Sequence, residues 1–360
     1  LKSKQTGQVP VNITFLRGKM IQSTQPAAAT GILMLNMGGP QTLAEVKPFL
    51  LNLFADRDLM RLPLQDWLGR LIAERRAPKV ARQYAEIGGG SPIYHWTRRQ
   101  GDQMAAALDQ ISPQTAPHRA YIAFRYAPPF AVDALQAIQT DGVERVVVFT
   151  QYPHFSHTTT GSSLNDLWRT ADSLGVKDSL NWRVIDHWPL HPGLIQTWAA
   201  AIRTALESIP PAARDQTLLL FSAHSLPLKS IQAGDPYPLE INATAYAVMQ
   251  QLKVPNDAVV CYQSKVGPLK WLGPSTEAVL RQAARDGRPG VLLIPIAFTS
   301  DHIETLHELD IEYASLAQRL GIGCFRRAPA PNDAPVFIRA LADLVAAQLA
   351  EADPPQPALV

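Results

Sequence analysis

Thr217-Leu218-Leu219-Leu220-Phe221-Ser222-Ala223-His224-Ser225-Leu226-Pro227 passes from an apolar run into a polar exit, and Val291–Phe298 followed by Thr299-Ser300-Asp301-His302-Ile303-Glu304-Thr305-Leu306 repeats the pattern. Each apolar run reads as a strand buried on both faces, the form strands take in parallel sheets. The polar groups then sit where strands end, which is where open α/β sheets bind ligands. A histidine from one exit and a His-x-Glu pair from another can meet in one cleft. Imidazole beside carboxylate suits a borderline divalent metal and the movement of protons.

Outward from these two stretches, strand-like segments recur at Ile32–Met37, Ala120–Tyr126, Arg145–Pro153, Trp182–Trp188, Ala258–Ser264 and Gly323–Arg327. Amphipathic segments separate them. Strand–helix alternation predicts parallel sheets covered by helices. Eight strands divide into two sets of four, so the expected fold is α/β: two Rossmann-like domains, each a four-stranded parallel sheet flanked by helices, with a cleft between. The expected organisation is an N-terminal leader or disordered segment over 1–30, domains at 31–186 and 187–330, a C-terminal helix at 331–353 and a tail at 354–360. No Gly/Ser linker marks the boundary near Asp186, which predicts halves packed firmly together.

Composition excludes several classes. The 360 residues are 46% hydrophobic and 18% charged, and net charge is +2, so no basic field points to nucleic acid. Uninterrupted apolar runs fall short of a membrane span. Cys261 and Cys324 lie far apart in strand-like stretches and read as buried thiols. Residues 1–30 hold Lys2, Lys4, Arg17 and Lys19 and no acid, the pattern of a mitochondrial targeting segment or of a plain disordered tail.

Glu304 has a structural explanation: Asp301-x-x-Glu304 fits a capping box at a helix start. Yet Asp301, Glu304, Glu308 and Glu312 recur at spacings that put them on one helical face, where like charges destabilise. A carboxylate ladder leaving a strand end is better explained by a cation it receives. In the first half, Arg75-Arg76, Tyr84 and Gly88-Gly89-Gly90-Ser91 supply donors and glycine N–H groups for the carboxylates of a ligand. Asn36-Met37, Arg125-Tyr126 and Tyr152 end strands on the same side. His191 begins a helix, and Asp343, alone in an apolar helix, reads as a buried acid in need of a partner, for which His191 is a candidate. Over residues 51–76, Leu64, Trp67, Leu68, Leu71 and Ile72 form a Trp-bearing stripe edged by Arg70, Arg75 and Arg76. It reads either as core packing or as an interfacial lip.

These residues resemble the ferrochelatase family over about Gly31 to Leu349. The match is carried by Leu35–Pro40, Gly88–Ile93, Gln151–Pro153, Thr159–Ser163, Phe221–Ser225, Gln263–Pro268 and Phe298–Leu306. The resemblance implies a protoporphyrin ferrochelatase, a lyase that inserts Fe²⁺ into protoporphyrin IX. It implies catalytic roles for His224, Glu304, His191, Asp343 and His302. Porphyrin contacts fall to Arg76, Tyr84, Ser91, Met37, Arg125, Tyr126, Tyr152 and Trp271. Iron meets His224 and Glu304 and travels along Glu308 and Glu312. It also implies a homodimer, peripheral on the matrix side of the mitochondrial inner membrane, with the 51–76 segment as its lip; a membrane-associated enzyme of the bacterial cytoplasm is the alternative. No cofactor is required. Animal members hold a [2Fe–2S] cluster, but His157 stands at its first cysteine position and no cysteine follows Cys324, so no cluster is expected. Competing expectations are a chelatase for cobalt or for coproporphyrin, and a non-catalytic porphyrin carrier. The carboxylate ladder argues against the carrier, and nucleotide binding lacks its glycine fingerprint.

Overall fold

The computed structural model describes residues 29–265 and 269–351. The expected leader apart from its last two residues, the Val266-Gly267-Pro268 part of one family stretch and the tail lie outside the described residues.

All eight expected strands form: β1 Thr30–Asn36, β2 His118–Phe124, β3 Arg145–Thr150, β4 Asn181–Ile185, β5 Leu218–His224, β6 Ala258–Gln263, β7 Gly290–Ile294 and β8 Cys324–Arg327. They make two four-stranded sheets ordered β2-β1-β3-β4 and β6-β5-β7-β8, with every neighbour parallel. β7 stops at Ile294 rather than Phe298, because Pro295 has no N–H to continue a ladder. β3 likewise ends at Thr150, short of Pro153.

Side chains alternate across each sheet, so each strand feeds two cores. Ile32, Met34, Val147 and Phe149 of the first sheet share one core with Leu219, Phe221, Leu292 and Ile294 of the second. The helices Pro192–Glu207 and Pro335–Ala350 contribute Trp198, Ile202, Phe337 and Leu341 to it. That common core is the physical reason the halves have no linker. The outer faces are covered separately: Leu33, Leu35 and Val148 by helices Ala131–Thr140 and Ser162–Ser173, and Leu220 and Val291 by helices Thr276–Arg285 and Ala314–Arg319.

The 51–76 segment is not one helix. Helix Val46–Ala55 ends at Asp56, and a second helix runs Gln65–Glu86. Leu64 precedes it with a left-handed backbone, φ 48°. Leu64 and Trp67 are 79% and 65% exposed, whereas Ile72 packs on a small core of Val46, Phe49, Leu50 and Phe54. The stripe therefore divides: its start faces solvent and its end is core.

Both sheets reverse strand order once, between β1 and β3 and between β5 and β7. These switch points are where a doubly wound sheet opens a crevice. The segments leaving β3 and β7 are stitched together: the Thr299 hydroxyl donates to the Gln151 carbonyl at 3.2 Å, and Gln100 donates to the Thr299 and Asn332 carbonyls.

Candidate active site

His224 is the last residue of β5, and Glu304 opens the helix that follows the β7 exit, so the two flank the second switch point. Nδ1 of His224 lies 3.0 Å from Oε2 of Glu304. The His224 side chain is 38% exposed and Glu304 18%, which leaves the imidazole edge open to the cleft and recesses the carboxylate behind it. Burial pushes the Glu304 carboxyl up. The charge and hydrogen bond of His224, the charge of His302 and the Ser264 hydroxyl outweigh it and hold the group at about 2. For His224 burial works against the charged form, but Glu304 overcomes it and raises the imidazole above its ordinary value. Each group therefore favours the charged form of the other.

The helix Glu304–Tyr313 is a π-helix, wider than an α-helix and common in single turns at functional sites. Its N-cap is Ile303 and no side chain caps it, so the capping-box explanation of Glu304 does not hold. Asp301 instead pairs with Arg327 at 3.1 Å and accepts from the Asn332 amide at 2.8 Å. It lies before the helix, off the ladder.

The rest of the ladder also divides. Ser264 sits just past β6 with φ 64°, and this backbone aims both its N–H and its hydroxyl at Glu308. The Gln263 amide donates to Glu304 and Glu308, and the Tyr313 hydroxyl donates to Glu308 at 3.1 Å. Burial and the neighbouring Glu304 charge raise the Glu308 carboxyl. Glu312 turns away: it lies 3.6 Å from Nδ1 of His307 and accepts from Gln83. Among the described residues no three His, Cys, Asp or Glu side chains converge as a ready-made metal cage. The expected iron set of His224, Glu304, Glu308 and Glu312 thus reduces to a line of three acceptors, with Glu312 outside it.

His302 is buried beside Glu304, its Nε2 4.0 Å from Oε1, its Nδ1 hydrogen-bonded to the Ser300 carbonyl and its ring edge-on to Phe298.

The first half supplies a wall of phenols and hydroxyls with one half-buried arginine. Tyr84, Tyr152 and, from the second half, Tyr237 all feel the Glu304 carboxylate; burial first and that charge second raise the Tyr84 and Tyr237 phenols. For Tyr152, burial is again the largest cause of a raised phenol, partly offset by the main chain of Met37, Arg125 and Ser163. Ser91 is placed by close approach: a Cβ on Gly90 would lie 2.1 Å from the Gln41 carbonyl oxygen, and one on Gly39 would lie 2.7 Å from Ser91. The glycine run is not an open anion cradle, because Gly89 N–H caps the preceding helix through the Tyr84 carbonyl at 2.8 Å. Arg76 is half-buried with its guanidinium 5.6 Å above the Phe54 ring.

Arg125 and Tyr126 are drawn elsewhere. Arg125 pairs with Asp56 at 3.1 Å and Asp166 at 3.4 Å, and the Tyr126 hydroxyl donates to Asp56 at 2.7 Å. Asp56 is buried and also accepts from the Ser162 hydroxyl and the Asp58 N–H. Burial pushes its carboxyl up, but Ser162, Tyr126 and Arg125 bring it below its ordinary value. This hub was not singled out in the sequence, where Ala55-Asp56-Arg57-Asp58 is only part of the 51–76 segment.

Trp271 bridges the loop just after His224 through Pro227. His191 caps helix Pro192–Glu207 and is lowered by burial, partly offset by the Asp343 charge. Asp343 is not buried: it is half-exposed and pairs with Arg339 at 2.7 Å, one helical turn away. The two are within electrostatic reach of each other, but among the described residues no hydrogen bond or ion pair joins them to His224 or Glu304.

Two four-stranded parallel sheets flanked by helices, each with one switch point, give a two-domain α/β fold of the chelatase type. The solved structure of SirB from Bacillus subtilis with Fe³⁺ shares this fold, with a TM-score of 0.51 at 12% identity over 89% of this chain and 96% of that one. The family model for Ferrochelatase matches residues 29–349. The mitochondrial ferrochelatase of Bos taurus is 53% identical over 321 residues, covering 89% of this chain and 77% of its own; that of Homo sapiens is 51% identical over 326, covering 90% and 77%. The chain belongs to the ferrochelatase family, and it is a lyase-class enzyme that inserts ferrous iron into protoporphyrin.

Proposed function

We propose that the His224–Glu304 pair is the proton acceptor and metal contact of this insertion, with Glu308 as the next station. The observation that carries the reading is the 3.0 Å imidazole–carboxylate contact at the second switch point. Insertion displaces two pyrrole protons. His224, in its neutral form, accepts one proton at a time and hands it past Glu304 to Glu308, whose raised carboxyl is the better proton holder of the two acids. Glu308 releases each proton to solvent before the next arrives, so two cycles account for both, and no redox step is needed. His302 holds Glu304 in place. His191 and Asp343 act at a distance from this pair, as a second polar station.

Tyr84, Ser91 and Arg76 anchor the porphyrin carboxylates, and Met37, Tyr152 and Trp271 line the ring's path. Arg125 and Tyr126 shape that wall through Asp56. Leu64 and Trp67 rest on the membrane surface: they are exposed apolar groups at one end of the helix whose other end bears Tyr84. Among the described residues no helix is long and apolar enough to cross a membrane. The relatives are mitochondrial enzymes, which supports a mitochondrial location; the matrix face of the inner membrane and a homodimer complete the proposal. The Cys261 thiol is buried, which pushes it up to about 12, and Cys324 is buried elsewhere. With these two thiols, we expect no iron–sulfur cluster, and acid-labile sulfide in purified protein would contradict this.

The test of the reading is anaerobic incubation with Fe²⁺ and protoporphyrin IX. Porphyrin fluorescence should fall as haem absorbance rises in the native protein and not in His224→Ala. A cobalt or coproporphyrin chelatase would prefer those substrates in the same assay.

A further inference from the structure

Helix Gln65–Glu86 and the π-helix Glu304–Tyr313 with its continuation Ala314–Arg319 enclose a groove of about 580 Å³ away from the His224–Glu304 pair. One wall is a single helical face, Lys79, Arg82, Gln83 and Glu86; the other is His307, Ile311, Glu312, Ser315 and Arg319. Its acids are already engaged at the floor. Glu86 lies 3.0 Å from Nε2 of buried His307, and Glu312 lies 3.6 Å from Nδ1 and accepts from Gln83. Its cations are not. Among the described residues, no carboxylate comes within ion-pair distance of Lys79, Arg82 or Arg319. Arg98–Asp102 and Arg281–Glu277 show the alternative, an exposed arginine paired with an acid one turn away.

We propose that this groove is a binding site for a phosphate-bearing oxyanion, held by Lys79 and Arg82 from one wall and Arg319 from the other, with Ser315 as a neutral donor. Three cations converging from two elements with no internal partner suit a compact, multiply charged oxyanion. Two sources share that chemistry: a soluble phosphate compound, and the headgroup of an acidic lipid, because Leu64 and Trp67 lie about 20 Å along the same helix. An occupant would tie the helix carrying Tyr84 to the helix carrying Glu304 and Glu308. It would therefore bear on both walls of the cleft without entering it.

Pyrophosphate is the soluble probe, titrated calorimetrically into the full chain. Vesicles of phosphatidylcholine with and without phosphatidic acid are the lipid probe. The variant Lys79→Gln/Arg82→Gln/Arg319→Gln should weaken binding roughly tenfold or more, and Arg319→Gln alone should weaken it less. These are exposed positions where substitution rarely unfolds a protein, and retained iron insertion verifies folding. Dependence of pyrophosphate binding on the three cations assigns the site to a soluble anion. Dependence confined to phosphatidic acid vesicles assigns it to a headgroup. Glu86→Gln, which removes an opposing charge, should tighten either interaction. If neither probe binds, if binding ignores the triple substitution, or if Glu86→Gln weakens it, the proposal is wrong.

Discussion

At the first switch point, between β1 and β3, the strand exits carry Met37 and Tyr152, with Tyr84 and Ser91 proposed to stand beside them. At the second, between β5 and β7, the corresponding places hold His224 and Glu304, backed by Ser264 and Glu308. The two sheets share one topology and order their strands alike. Sheet topology therefore fixes where chemistry can sit but not which chemistry. One wall is apolar and hydroxyl-bearing, suited to hold a flat ring and its carboxylates. The other is charged, suited to take protons and meet a metal. The first wall's own charges, Arg125 and Asp56, neutralise each other behind it.

The sharpest way to break this comparison is to blunt the charged wall. His224→Ala should lower turnover by about 10²–10⁴-fold, the range for removing a positioned acid–base group, in a protein that still folds but loses the pair's contribution to stability. Steady-state haem formation beside a thermal melt checks this. Glu304→Gln should cost turnover by about 10²-fold and shift His224. Burial then acts on the imidazole without its carboxylate, so its titration should drop below the ordinary histidine value. An NMR titration of His224 reads this, and an unchanged His224 would separate the two residues.

The same shifts set a pH window for stability. Glu304 is depressed in the folded state, so its contribution is present above its unfolded value of about 4.5 and is lost as pH falls through about 2. His224 is raised, so its contribution is full below its unfolded value of about 6.5 and is lost as pH rises through the folded value. The pair therefore stabilises most between those two unfolded values. Denaturant midpoints for the native protein and Glu304→Gln should differ most in that interval and converge outside it.

On the hydroxyl-bearing wall the effects should be on binding and folding. Asp56→Ala leaves Arg125 buried without its main partner and should cost about 3–5 kcal/mol of stability, with a raised KM for porphyrin in the folded fraction. Chemical denaturation measures the first and steady-state kinetics the second. The smallest effect belongs to the lip. Leu64→Ser/Trp67→Ser should weaken liposome association and raise the porphyrin KM several-fold, less than the loss of about 1.5–3 kcal/mol for each large apolar side chain that full burial would imply, because both rest on the surface. The KM for Fe²⁺ should be unchanged; if it moves in step with that for porphyrin, the division between walls fails.

Much of this was legible in the chain. Leu218–Phe221 and Val291–Ile294 are apolar without interruption, which only strands covered on both faces require, and the polar groups after them mark the cleft. The places of His224 and Glu304 at strand exits follow from that, whereas Tyr84 and Ser91 were read from the donors around the glycine run. What was not legible depends on tertiary direction. Asp56 sits among charged neighbours within the 51–76 segment; only folding brings Arg125, Tyr126 and Ser162 onto it. Glu312 keeps the ladder's spacing, yet His307 and Gln83 draw it to another face. Asp343 seemed buried because its neighbours are apolar, but a helix edge needs only one open side, and Arg339 covers it. Ser264 was visible only as part of a family stretch; its role rests on a left-handed backbone that no residue pattern announces.

The central claim is that His224 and Glu304 act as one unit. A double-mutant cycle on anaerobic iron insertion, comparing native protein, His224→Ala, Glu304→Gln and the double variant, tests it most directly. Groups acting as a unit are strongly non-additive, so the double variant should be about as slow as the slower single variant. If the two losses multiply instead, the residues act independently and the pair is not the working element of the site.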